Sequence, residues 1–187
     1  MADKLRLDIR TGPKGETYHR IVDSAVHFCD QALLIIHDGI SLNPPGTQAL
    51  KLLEPFLLRK LFRTTQWPGT LLHYSDLFPN NTATVFCFRL CTESAQILKD
   101  SVEGLYSWRQ PEYPEDLCLL HPDGSPWMVS ITHEEDSYFE LIAQERDRLL
   151  KDVPDLDWVS HPPDPPGRRK GTRKWDRLTK NPAPNQN

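Results

Sequence analysis

Apolar residues recur along this chain in two rhythms, and the change from one to the other marks out its elements. Residues 4–10 alternate, with Leu5, Leu7 and Ile9 set against Lys4, Arg6, Asp8 and Arg10. A period of two suits an edge strand or a mobile arm, which Gly12, Pro13 and Gly15 end. From Tyr18 the steps become three and four residues, through Ile21, Val22, Ala25, Cys29, Ala32, Leu33 and Ile36. Arg20, Asp23, Ser24, His27 and Gln31 fill the other side. This spacing predicts one long helix over residues 17–38, capped by Thr17 and stopped at Gly39. After the turn Asn43-Pro44-Pro45-Gly46, a ladder of Leu50, Leu53, Leu57 and Leu61 predicts a core helix over 47–62, kinked at Pro55. Arg59, Lys60 and Arg63 then complement the dipole at its C-terminal end.

Trp67-Pro68-Gly69 breaks that ladder. Strands are predicted over 70–74 and 82–90, with Phe78-Pro79-Asn80-Asn81 as the turn. The second has Thr84, Phe86, Phe88 and Leu90 on one face and Val85, Cys87 and Arg89 on the other. Two mostly apolar faces predict a central strand. Helical spacing returns at Ala95, Leu98, Val102 and Leu105, predicting a helix over 92–108 that Pro111 and Pro114 end.

Asp123-Gly124 lies between two further apolar runs. Both central residues of the favoured two-residue turn need positive φ, so this dipeptide predicts a hairpin of strands over 116–120 and 127–132. Leu120 then faces Trp127, and Cys118 faces Val129. The parity places Cys118, Leu120, Trp127, Val129 and Ile131 on the face turned to the helices. Ser137 and Glu140 have capping-box spacing and predict a last helix over 137–151.

Two short-turned hairpins joined through a helix define the expected fold class. It is α+β, with an antiparallel or mixed sheet of four to five strands and helices mainly on one face. Residues 1–152 form the domain. From 153 onward the composition turns to proline and then to basic residues, which predicts a disordered tail over 153–187.

Charge sharpens that division. The net charge of the 187 residues is −4, yet residues 153–187 carry +3, leaving −7 for the body. Bulk charge therefore argues against a nucleic-acid-binding domain and for an acidic surface with a basic appendage. Arg168, Arg169, Lys170, Arg173, Lys174, Trp175 and Leu178 make that appendage a candidate docking segment for an acidic protein or for nucleic acid. The first residues are charged rather than apolar and no run spans a bilayer, so a cytoplasmic, non-membrane protein is expected. The four cysteines lack CxxC spacing and sit in apolar segments, as reduced buried thiols do.

Chemistry-bearing patterns are sparse. Phosphate-binding glycine loops and a nucleophile elbow are absent, so neither a cofactor nor a bound metal is expected. His133, Glu134 and Asp136 have the residue types of a metal or acid/base site, with His73 and His121 as possible partners. The run lacks the second histidine of HExxH, and acids before a helix are also ordinary dipole-complementing charge. Trp108, Arg109, Glu112, Tyr113, Glu115 and Asp116 interleave aromatics with charge, an interface-like composition.

The sequence thus supports a non-enzymatic interaction module, of an immunity or antitoxin type or an accessory subunit, whose acidic body meets a basic protein partner. The alternative is a small metal-assisted hydrolase or nuclease using His133, Glu134 and Asp136, which requires His73, His121 and His133 to converge.

Overall fold

The apolar segment from Gln31 to His37 is a strand rather than the second half of a helix, and the sheet is built outward from it. The computed structural model describes residues 4–72 and 81–161. In chain order the elements are β1 (Leu5–Ile9), α1 (Gly15–Ala25), β2 (Gln31–His37), α2 (Pro44–Leu53) and β3 (Leu57–Thr64). The short ribbon β4 (Gln66–Trp67) and β5 (Thr70–Leu71) follows, then β6 (Ala83–Arg89) and α3 (Thr92–Ser101). The chain continues through β7 (Glu115–Leu120), β8 (Pro126–Ile131), β9 (Asp136–Leu141), α4 (Ala143–Asp152) and β10 (Trp158–His161).

The main sheet has eight strands in the order β10-β1-β9-β8-β7-β2-β6-β3, and every neighbouring pair is antiparallel. The α+β class holds, but the expected count of four to five strands does not. β2, β3, β9 and β10 all lie in segments that the periodicity assigned to helices or to the tail.

Each reassignment has a local cause. α1 ends at Ala25, where Phe28 N–H and Cys29 N–H both donate to Ala25 O. Asp30 N–H then donates to Leu120 O, and Leu90 N–H donates to Asp30 O, which fixes the entry of β2 between two strands. A strand with both faces covered reads as an unbroken apolar run, and such a run contains helical spacings by default. α2 stops at Leu53, and Glu54–Phe56 forms one 3₁₀ turn around Pro55 before β3 begins. The proline ends the helix instead of kinking it.

Ser137 and Glu140 are not a helix cap. They belong to β9, where Ser137 Oγ lies 2.8 Å from Tyr106 Oη. The capping acid of α4 is Glu145, whose Oε2 accepts from Ile142 N–H at 3.0 Å. The boundary at 153 moves as well, because Val153 and Leu156 are buried and β10 pairs with β1 from Arg6↔His161 to Ile9↔Trp158. The proposed tail-docking residues, Arg168 to Leu178, lie outside the described residues, as does His73.

All four helices pack on one face. Their core includes Tyr18, Ile21, Val22, Leu53, Leu98 and Leu149, closed by Leu34, Phe88, Leu119, Trp127 and Phe139 from the strands. The opposite face has its own core of Leu33, Ile35, Val85, Cys87, Cys118, Leu120, Val129 and Ile131, covered by Trp67 of the β4–β5 ribbon. Gly69 lets that ribbon lie flat: its φ is +83°, and a Cβ there would meet Val129 Cγ1 at 2.7 Å. The hairpin pairs Leu119 with Met128 as the two-residue loop predicts, then slips to Leu120↔Pro126 through a bulge. The slip sends Trp127 to the helix face while Cys118, Leu120, Val129 and Ile131 stay together on the other. Cys29, Cys87 and Cys118 are buried, and all four cysteines carry free thiols. Among the described residues, no helix is long and apolar enough to cross a membrane.

Candidate functional site

Two places on this scaffold carry features that packing alone does not require: a buried carboxylate–imidazole cluster at the start of β7 and the outer edge of β3.

Consecutive strand residues normally point to opposite faces. Glu115 and Asp116 escape that rule because β7 bulges: Leu33 pairs with Cys118 but Ile35 pairs with Glu115, and Asp116 takes φ +55°. This left-handed geometry is one that Asp and Asn tolerate better than other side chains. The bulge gathers both carboxylates beside His133, so that one donor atom from each of the three lies within 4.8 Å of the others. Asp116 is fully buried and Glu115 nearly so, whereas His133 is exposed.

Every carboxylate oxygen in the pair accepts a hydrogen bond. Asp116 Oδ2 accepts from Trp67 Nε1–H at 2.8 Å, and Asp116 Oδ1 accepts from Thr132 N–H at 2.8 Å. Glu115 Oε2 lies 3.1 Å from His37 Nε2, and Glu115 Oε1 accepts from Gln110 N–H at 3.3 Å. Gln110 in turn accepts from His37 N–H through Oε1 and donates to Ile40 O through Nε2. The His37 ring also stands edge-on to Trp67, with centroids 5.4 Å apart. One network therefore joins β2, the β4–β5 ribbon, β7 and the end of β8.

The environments push the two carboxyl groups in opposite directions. Burial would raise Glu115, but the hydrogen bond and charge of His37 outweigh it and hold Glu115 below the usual carboxylate range. The Glu115 hydrogen bond raises His37 against the effect of its own burial. Burial raises Asp116, with the Glu115 charge adding to it and the Thr132 and Trp67 hydrogen bonds opposing it. The result is an ion pair, Glu115 with His37, beside a carboxyl that takes up a proton more readily than usual.

The sequence-predicted residues are distributed differently from expectation. His133 joins Glu115 and Asp116; its Nε2 also lies 3.7 Å from Glu134 Oε1, while Asp136 is not part of the cluster. Glu134 is exposed, and Asp136 opens β9 opposite Ile131. His121 sits at the other end of the β7–β8 hairpin, where its Nε2 lies 2.8 Å from Glu145 Oε1 and its Nδ1 contacts Ser125 O. The convergence of His121 with His133 that the hydrolase reading requires is therefore absent.

The interface expected over 108–116 is also corrected, because half of it faces inward. Trp108 is fully buried, donates its indole N–H to Tyr18 Oη at 2.9 Å and packs edge-on against Tyr113. Glu115 and Asp116 are in the cluster just described. Only Arg109 and Glu112 stay exposed, and Glu112 Oε1 accepts from Asn43 Nδ2 at 2.6 Å.

Among the described residues, β3 is the end strand of the sheet and pairs with β6 alone. Arg59, Lys60 and Arg63 are therefore strand residues, not the end of a helix. Along its eight residues Leu58, Lys60, Phe62 and Arg63 are exposed, with Leu58 at 53% and Phe62 at 70%. Lys60 Nζ hangs 5.1 Å over the Phe86 ring. One Arg59 nitrogen donates to Gln31 Oε1, while Arg59 Nε is buried with no hydrogen-bond partner among the described residues. Beside the strand runs a groove of about 290 Å³ lined by Leu50, Lys51, Glu54, Leu57, Lys60, Phe86 and Phe88. Strip and groove together hold four cations, Lys51, Arg59, Lys60 and Arg63, against one acid, Glu54.

Sequence reasoning missed His37, Trp67 and Gln110 because their roles depend on a bulge and on long-range pairing. It passed over β3 because exposed Leu58 and Phe62 break the polar half of an alternating pattern. Comparison with protein-family models, with curated proteins and with solved structures gave no match.

Proposed function

We propose that this protein is an interaction module that binds an extended, acidic segment of a partner protein along the outer edge of β3. The observation that carries this reading is an end strand exposing Leu58 and Phe62 among cations of a single sign. An added strand gains main-chain hydrogen bonds from the open edge and specificity from alternate side chains. Edge strands are commonly guarded against chance pairing by charges and bulges. Here the guard is selective: Arg59, Lys60 and Arg63 repel the same strip on a second copy of the chain and attract glutamate or aspartate. The basic segment from Arg168 to Lys180 carries the same sign and is disfavoured as an occupant for the same reason.

This reading reverses the sign of the partner expected from bulk charge, because the local strip opposes the net charge of −4. It fits an immunity-type or an accessory-subunit role equally, since either can use an edge strand as its contact.

Fluorescence anisotropy on the full chain tests it with three labelled probes: a peptide alternating glutamate and valine, its lysine–valine counterpart, and oligothymidylate. The glutamate peptide binds, the lysine peptide does not, and rising salt weakens the complex. Lys60→Glu combined with Phe62→Glu weakens binding at least about tenfold, equivalent to about 1.4 kcal/mol. Equal binding of both peptides, tighter binding of oligothymidylate, or indifference to the double substitution overturns the reading.

A further inference from the structure

We propose that Glu115, Asp116 and His133 form a site for one divalent transition-metal ion of the Mn²⁺ or Zn²⁺ class, separate from the β3 edge. The donor set is mixed, with two carboxylates and one imidazole whose ligand atoms already lie within 4.8 Å of one another. Carboxylate with imidazole suits Mn²⁺, Fe²⁺ or Zn²⁺, whereas Ca²⁺ takes six to eight oxygens.

The surroundings are those of held ligands. A ligating carboxylate is usually fixed by a hydrogen bond from behind. Trp67 Nε1–H and Thr132 N–H hold Asp116, and His37 and Gln110 hold Glu115. Each of the four oxygens accepts one such bond and keeps a second lone pair for an ion. His133 is carried on the turn Thr132–Glu134, whose first N–H is the one bound to Asp116, so the imidazole is positioned by the carboxylate it joins. Because His133 is exposed, the ion enters from its side and keeps water in the remaining positions.

The test uses the full chain, stripped with a chelator, in isothermal titrations with MnCl₂ and with ZnCl₂. One equivalent of at least one of the two ions is taken up, and bound Co²⁺ gives a visible d–d absorption band. His133→Ala weakens uptake at least about tenfold and abolishes the band, while His27→Ala, which removes an exposed imidazole on another face, changes neither. Because His133 is exposed, circular dichroism of His133→Ala matches that of the parent chain. Glu115→Gln keeps the size of that side chain and weakens binding in the same direction. Unchanged uptake in His133→Ala, an equal loss in His27→Ala, or no stoichiometric binding at about 1 mM of either ion overturns the proposal.

Discussion

Replacing Asp116 with alanine lowers the stability of the fold by roughly 3–7 kcal/mol, measured by urea unfolding of the full chain. The side chain is fully buried and is the acceptor for Trp67 Nε1–H and Thr132 N–H. Alanine leaves two buried donors unpaired, each costing roughly 1–3 kcal/mol, and its methyl group must also occupy φ +55° at a further cost of about 1 kcal/mol. Two companion substitutions separate these terms. Asp116→Asn keeps one of the two acceptor oxygens and tolerates the left-handed backbone, so it orphans a single donor and loses roughly 1–3 kcal/mol. Asp116→Gly removes the strain but not the orphaned donors, and recovers about 1 kcal/mol relative to alanine. An alanine variant within about 1 kcal/mol of the parent contradicts the clamp.

The second large effect lies in the core on the helix face. Trp127 is fully buried, stacks on Phe28 with centroids 6.1 Å apart and meets the Phe139 ring edge-on at 5.0 Å. Truncation to alanine costs roughly 3–5 kcal/mol. Its indole nitrogen has no hydrogen-bond partner among the described residues, so Trp127→Phe sacrifices packing only. Trp67→Phe removes the same atoms from an equally buried ring, but one of them is the donor to Asp116. Phenylalanine at 67 therefore destabilises more than phenylalanine at 127, by roughly 1–2 kcal/mol in parallel denaturant titrations. Equal losses at the two positions contradict the assignment of that hydrogen bond.

Where the sequence was legible, a single local rule governed the outcome. The alternation around Leu5, Leu7 and Ile9 is a strand, although one paired on both sides by β9 and β10 rather than an edge or a mobile arm, and Asp123-Gly124 lies in the turn between β7 and β8. Apolar character on both faces of β6 marks a strand paired on each side, by β2 and β3. Illegible segments are those where tertiary burial overrides periodicity. The run from Ala32 to Ile36 satisfies helix and strand spacing at once, and only its position between β6 and β7 decides. Leu57 and Leu61 keep the four-residue step of the helix before them, although Pro55 has already ended it.

The candidate site shows the same limit. Glu115 and Asp116 stood out as charges beside aromatics, but their burial and their meeting with His133 come from one left-handed residue in a bulge. No local pattern announces a bulge of that kind. His133 was grouped with Glu134 and Asp136; Glu134 Oε1 does lie 3.7 Å from its Nε2, but the buried acids gathered beside it are Glu115 and Asp116, which no spacing in the sequence pairs with it.

The central claim is that the outer edge of β3 receives an added strand, and amide hydrogen exchange tests it residue by residue. With the glutamate–valine peptide at saturation, the amides of residues 57–64 that do not pair with β6 slow at least about tenfold. Those of β10, the end strand at the opposite edge of the sheet, stay unchanged. Exchange in β3 that is the same with and without peptide, or protection that appears at β10 instead, contradicts the account.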